Sequence, residues 1–197
     1  MRVIAGIYRS RQLVAPRGTG TRPTSDRLRE TLFNILALRL NGCRFADLYA
    51  GTGAVGIEAL SRGAAHVWFA EKSAPALTAI RTNLKALKIE QNFTIEERGT
   101  AALLERLANS AQTPAETTRS TPSPDIVYLD PPWEADAEYT AILHLLGSAR
   151  GRPTLAPDAL VIAEHSSKTP LAPRFGDLIQ TRTLKQGDAA LTFYAIS

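Results

Sequence analysis

From Arg44 onward the sequence alternates between short runs that suit strands and longer runs that suit helices. This alternation limits the possible folds more than any other feature of the chain. Strand-like segments fall at 45–49, 66–71, 93–96, 125–129 and 160–164, with helix-like segments near 54–62, 74–87, 100–109 and 136–147 between them. Strands joined through helical crossovers predict a parallel sheet covered on both faces. The last two strand-like runs, 178–185 and 190–196, are linked by little more than Gln186-Gly187-Asp188, and so short a turn forces them antiparallel. A dinucleotide-binding half-sheet would not need that terminal hairpin.

The first 44 residues read differently. Residues 2–7 and 11–15 suit two short strands around Tyr8-Arg9-Ser10, a hairpin, and Pro16 to Pro23 suits a loop. A helix is expected to start at Thr24 or Ser25 as cap, with Asp26 in its first turn and Leu28, Leu32, Ile35 and Leu36 at helical spacing. This segment holds nine arginines against two acids, so it carries +7 and leaves −3 on the rest of a chain whose net charge is +4. A basic, arginine-rich segment on a mildly acidic body suits a polyanion partner, although a merely solvated basic face has the same composition. Residues 109–124 contain almost nothing to bury and read as a surface loop.

Between the first core strand and its helix lies Asp47-Leu48-Tyr49-Ala50-Gly51-Thr52-Gly53-Ala54-Val55-Gly56. Gly51, Gly53 and Gly56 match G-x-G-x-x-G, which permits a tight turn and a close approach of ligand to backbone. By itself the pattern admits a nicotinamide or flavin enzyme as readily as a methyltransferase. Asp47 helps separate them: an acid at the end of the first strand suits a cationic amine, where a dinucleotide would bring a pyrophosphate. Glu71, at the end of the second strand, suits ribose hydroxyls in either class. The turn after the third strand, Arg98-Gly99-Thr100, would border an adenine through backbone or the Thr100 hydroxyl.

The fourth strand runs into Asp130-Pro131-Pro132-Trp133. Two prolines after a strand impose a stiff turn without backbone donors. The Pro131 carbonyl and the Asp130 carboxylate are expected to point to one spot beside the flat face of Trp133. Two acceptors gripping the hydrogens of an exocyclic amine would favour a more pyramidal nitrogen, with its lone pair towards an incoming methyl group. Trp133 would stack on an extruded base. The scattered His66, His144 and His165 and the lone Cys43 form no metal-ligand pattern, so no metal is expected.

With these motifs in place, the chain resembles the bacterial 16S rRNA (guanine(966)-N(2))-methyltransferase family over nearly its whole length. The likeness is carried by Arg2 to Gly6 with Arg11, by Arg22 to Asn34, by Asp47 to Ala64, and by Asp130 to Trp133, where many members have Phe in place of Trp. It implies an α/β, Rossmann-like, seven-stranded methyltransferase fold with a small N-terminal β-hairpin extension: residues 1–23 facing RNA and 24–197 forming the methyltransferase domain. It implies S-adenosylmethionine as methyl donor, with Asp47, Tyr49, Gly51, Thr52, Gly53, Glu71, Lys72 and Thr100 around it. Asp130, Pro131, Pro132 and Trp133 would surround the target base, and Arg9, Arg11, Arg22, Thr24 and Arg27 would meet the RNA. The implied partner is 16S rRNA within an assembling small ribosomal subunit, bound by a monomer.

Other readings bound this one. A DNA amino-methyltransferase (adenine N6 or cytosine N4) uses a similar Asp-Pro-Pro-aromatic turn, but 197 residues leave little room for a DNA-reading domain. A dinucleotide oxidoreductase would leave Asp47 and Asp130 to Trp133 without purpose. A protein amide methyltransferase, or an RNA-binding protein on an inactive fold, would not call for both the basic segment and the full motif set. No apolar run approaches a membrane span and the start lacks a signal-peptide pattern, so a cytoplasmic protein with no membrane partner is expected.

Overall fold

The computed structural model describes residues 1–15, 25–112, 123–132 and 135–197, which group into two compact units, Met1–Thr100 and Ala101–Ser197.

In the first unit, Ser25 caps helix α1 (Asp26–Ile35), its side chain accepting from the Leu28 N–H at 3.1 Å. A four-residue helix α2 (Ala37–Leu40) follows directly. Then come β1 (Arg44–Leu48), α3 (Ala54–Ser61), β2 (His66–Ala70), α4 (Ala74–Ala86) and β3 (Phe93–Glu96). Strand β2 pairs in parallel with both β1 and β3. All residues of α3 are buried, so this helix fills the core rather than covering it. Gly56 makes that possible: a Cβ there would lie 2.3 Å from Phe69 Cε1 and 2.8 Å from Val67 Cγ1.

The second unit has α5 (Thr100–Gln112, its first residue shared with the other unit), β4 (Ile126–Leu129), α6 (Asp136–Leu146), a short 3-10 turn, β5 (Leu160–Ser166), β6 (Arg174–Phe175), β7 (Leu178–Gln186) and β8 (Ala189–Ile196). Strands β4 and β5 are parallel; β8 runs antiparallel to β5, β7 to β8 and β6 to β7. The expected hairpin is present, with Gln186 paired to Ala189 and Gly187 at φ +63°. Among the described residues, all seven strands expected from Arg44 onward form, and β6 adds another, too short to leave a periodic signal.

The N-terminal segment departs from the expected hairpin of two strands. Its regular pairing is one antiparallel bridge, Arg2 with Gln12, supported by Val3 N–H to Arg11 O and Leu13 N–H to Met1 O, both 3.0 Å. The N–H groups of Ile4 and Ala5 leave the ladder and donate to the Glu58 carboxylate on α3, at 2.7 and 2.9 Å. Gly6 (φ +83°) then passes so close to Ser61 that a Cβ would sit 1.8 Å from its carbonyl oxygen. The arm is thus shaped by α3 as well as by its own pairing.

Candidate active site

Three glycines of one motif do three different things. Gly51 (φ +54°) has open space where a side chain would go. Gly53 (φ +75°) packs against Ile80 and Phe69, and Gly56 seats α3 on β2. Between strand and glycines, Tyr49 takes φ +64°, an unusual conformation for an aromatic residue and one that marks a constrained loop.

Asp47 and Glu71 pin this loop from two sides. Asp47 is 2% exposed and its Oδ2 accepts from Gly56 N–H at 2.8 Å. Burial pushes its carboxyl up to about 8; the Gly56 bond pulls the other way and the nearby Glu71 charge adds to the rise. Glu71 Oε2 accepts from Gly51 N–H at 2.9 Å, while its Oε1 accepts from Lys72 and Ser73 N–H, each at 2.8 Å. A carboxylate has about four lone-pair sites, so roughly one remains for a ligand hydroxyl. Lys72 is exposed, and its Cβ lies 3.5 Å from where a Gly99 Cβ would stand. Next to Gly99, at the start of α5, Thr100 is 6% exposed with an Oγ1 that has no hydrogen-bond partner. Thr52 donates from Oγ1 to the Met1 sulfur at 3.5 Å, and its carbonyl accepts from Asn83 Nδ2 at 3.0 Å.

Asn83, which the motifs do not single out, touches this loop as well. It is 1% exposed and, besides Thr52, it bonds Val14 in both directions: Val14 N–H to Oδ1 at 2.7 Å and Nδ2 to Val14 O at 3.1 Å. One buried amide therefore ties the N-terminal arm to the glycine loop.

In the second unit, all four residues of β4 are buried, after which Asp130 is partly exposed, Pro131 buried and Pro132 exposed. Trp133 lies outside the described residues. The Pro131 carbonyl, expected to face a substrate amine, already lies 3.0 Å from the Tyr139 hydroxyl. That hydroxyl also lies 2.8 Å from the Glu164 carbonyl.

The basic segment divides. Arg9, Arg11 and Arg27 are exposed, whereas Arg29 is fully buried. Its Nη2 donates to Arg2 O at 2.5 Å and to Asp26 Oδ1 at 2.9 Å, and its Nε stands 3.9 Å from Glu58 Oε2. Arg29 belongs to the interior, so the stretch 22–30 does not present all its arginines outward. Arg22 and Thr24 lie outside the described residues. Among the described residues, no group of three or more His, Cys, Asp or Glu could hold a metal ion, and no helix is long and apolar enough to cross a membrane.

Comparison with known proteins adds three kinds of likeness. Residues 1–195 match the family described as Conserved hypothetical protein 95. The candidate rRNA methyltransferase YlbH of Bacillus subtilis is 33% identical over 194 residues, 98% of each chain. The ribosomal RNA small subunit methyltransferase D of Haemophilus influenzae is 32% identical over 185 residues, 93% of this chain and 88% of that one. Among solved structures, the candidate methyltransferase yhhF of Escherichia coli superposes with a TM-score of 0.77 at 29% identity, covering 100% of this chain and 98% of that one. The fold is the Rossmann-like methyltransferase fold, a mostly parallel sheet ending in an antiparallel hairpin.

Proposed function

Because the chain belongs to the Conserved hypothetical protein 95 family, we propose that it is an S-adenosylmethionine-dependent methyltransferase acting on the N2 amino group of a guanine in 16S rRNA of the small ribosomal subunit. The observation that carries this reading is the pairing of a buried acid, Asp47, with an open glycine, Gly51, whose N–H is held by Glu71. A carboxyl pushed up to about 8 by burial favours a cation beside it, and the ammonium of S-adenosylmethionine provides one. The orphaned Thr100 hydroxyl fits a polar edge of the adenine, and the spare lone pair on Glu71 fits a ribose hydroxyl. When bound, the cofactor supplies an electrophilic methyl group on a sulfonium that leaves as a neutral thioether.

The protein's part is positioning and charge. The Asp130 carboxylate and Pro131 carbonyl accept the amine hydrogens, localise the nitrogen lone pair and aim it. Asp130 takes up the proton the nitrogen loses once it carries the fourth substituent. Trp133 holds the extruded base by stacking, and Pro132 keeps the turn stiff. Loops at the carboxyl ends of parallel strands are where this class of sheet binds ligands, and the glycine loop after β1 and the turn after β4 are each such a loop. The 1–23 arm, with Arg9, Arg11 and Arg22, and Thr24 and Arg27 beyond it, meets the RNA backbone. The methyltransferase domain is residues 24–197.

Labelled methyl transfer tests this on unmethylated small subunits, naked 16S rRNA and duplex DNA side by side. N2-methylguanine in rRNA or subunits is the expected product; label on DNA alone refutes the substrate assignment. Asp130→Ala should abolish turnover while cofactor affinity stays within about twofold, since the residue is assigned to the base and not to the donor.

A further inference from the structure

The turn that follows β4 has an unusual mechanical problem. Pro131 and Pro132 carry no N–H, so two consecutive residues cannot be tied down by donating to a neighbouring strand. Only their carbonyl oxygens are available as handles. Pro132 O accepts from Ala135 N–H at 2.8 Å, a local bond that closes the turn on itself. A second bond, from the buried Tyr139 hydroxyl to Pro131 O, ties the turn to the rest of its unit.

Tyr139 is 1% exposed on α6, and its hydroxyl reaches two carbonyls, Pro131 on the turn and Glu164 on β5. Glu164 is itself a hub: 5% exposed, it offers its carbonyl to Tyr139 and its carboxylate to the Tyr128 hydroxyl on β4, two residues before Asp130. One residue of β5 therefore bears on both the strand that delivers the turn and the turn itself.

We propose that Tyr139 is a positioning residue for methyl transfer: its hydroxyl fixes the Pro131 carbonyl against β5 and leaves one carbonyl lone pair directed at the substrate amine. A carbonyl oxygen has two lone pairs, and occupying one with a buried donor defines the direction of the other. The phenol has one proton for two acceptors, so the Pro131 and Glu164 carbonyls share it and are held at a set distance from the one oxygen. The inference rests on the proposed role of the Asp130 turn, and adds a residue outside the Asp-Pro-Pro-Trp motif to it.

The test compares Tyr139→Phe with Tyr194→Phe in the full chain. Both remove one buried phenolic hydroxyl; that of Tyr194 donates to Ala172 O at 2.8 Å and has no part in the turn. Methyl transfer to rRNA should show kcat lowered about tenfold for Tyr139→Phe, KM for S-adenosylmethionine changed by less than about twofold, and kcat unaltered for Tyr194→Phe despite a similar loss of Tm. An unaltered kcat for Tyr139→Phe, or equal losses of kcat in both variants, overturns the proposal. A second readout needs no substrate. In a Trp68→Phe background Trp133 is the remaining tryptophan of the chain, and Tyr139→Phe should lower its fluorescence anisotropy while Tyr194→Phe does not. If the unsubstituted protein transfers no methyl to rRNA, the functional reading fails. The anisotropy then still decides whether Tyr139 holds the turn, and no change in it overturns the clamp.

Discussion

Replacing Asp47 by Asn should raise stability and lower cofactor affinity, opposite effects from one atom. Asn keeps an oxygen for the Gly56 N–H but cannot ionise. In the folded protein the Asp47 carboxyl holds its proton to about pH 8, chiefly through burial, whereas in the unfolded chain it titrates near 3.8. Between those values the folded state binds more protons than the unfolded state, so this group's contribution is full below pH 4 and is lost as pH rises towards 8. The interval corresponds to roughly 6 kcal/mol at about 1.4 kcal/mol per pH unit, and relaxation around the ionised group lowers the observable part to about 2–4 kcal/mol. The stability advantage of Asp47→Asn should thus grow from near zero at pH 4 to that figure at pH 8 and stay flat above it. Urea unfolding of both proteins from pH 4 to 9 measures it. Calorimetric titration with S-adenosylmethionine should show affinity falling at least tenfold in the variant, and rising with pH towards 8 only in the unsubstituted protein. A variant that is less stable at pH 8 and binds the cofactor normally would show Asp47 to be a cap for Gly56 and nothing more.

Gly51→Ala should cost about 1 kcal/mol for its positive φ yet strongly weaken cofactor binding, whereas Gly56→Ala should cost about 1–3 kcal/mol from its clash with Phe69; melting and titration of both separate the roles, and unaltered cofactor binding by Gly51→Ala would oppose them. Glu58→Gln should destabilise by about 3 kcal/mol and expose residues 1–15 to limited proteolysis, because the Ile4 and Ala5 N–H bonds and the Arg62 pair (2.8 Å) all depend on the carboxylate. His165 is held neutral by burial, with Nδ1 near the Ser166 and Thr169 carbonyls and Nε2 near Thr192 Oγ1, so its contribution should be lost as pH falls below about 6.5; His165→Gln should flatten that part of a stability profile. Arg9→Ala and Arg27→Ala should each lower the salt slope of RNA binding by about 0.7–0.9, and unchanged slopes would make them ordinary solvated residues.

Helix and strand positions from β1 onward were legible because each buries one face of a regular element, and regular burial leaves a period in the sequence. What escaped were contacts between residues far apart in the chain. Ile4 and Ala5 look like strand residues, but their N–H groups find Glu58 more than 50 positions away and the ladder stops. Arg29 looks like one more basic surface residue in an arginine-rich stretch, and only the fold shows it inside, between Arg2, Asp26 and Glu58. Asp47 and Gly51 stand out in the sequence because the motif singles them out, and the structure places one buried under the loop after β1 and the other at an open position on it. Asn83 and Tyr139 do not stand out, since a polar residue on a helix reads as solvent-facing until its partners are known. A helical periodicity check hints at both: each lies in line with buried apolar neighbours, Asn83 with Ala79 and Ile80, Tyr139 with Ile142 and Leu143.

Glu58, Asn83 and Tyr139 solve the same physical problem. The arm, the glycine loop and the Asp-Pro-Pro turn are irregular, and irregular backbone near a core must satisfy its polar groups outside any ladder. In each case one nearly inaccessible side chain on a helix does so: Glu58 for the N–H groups of Ile4 and Ala5, Asn83 for Val14 and the Thr52 carbonyl, Tyr139 for the Pro131 carbonyl. An apolar residue of equal size would pack as well but leave those backbone groups orphaned, at about 1–3 kcal/mol each. The helices that fill the core are therefore also the parts that hold the loops in place. Substitutions on their buried faces should change activity through loop geometry before they unfold the chain.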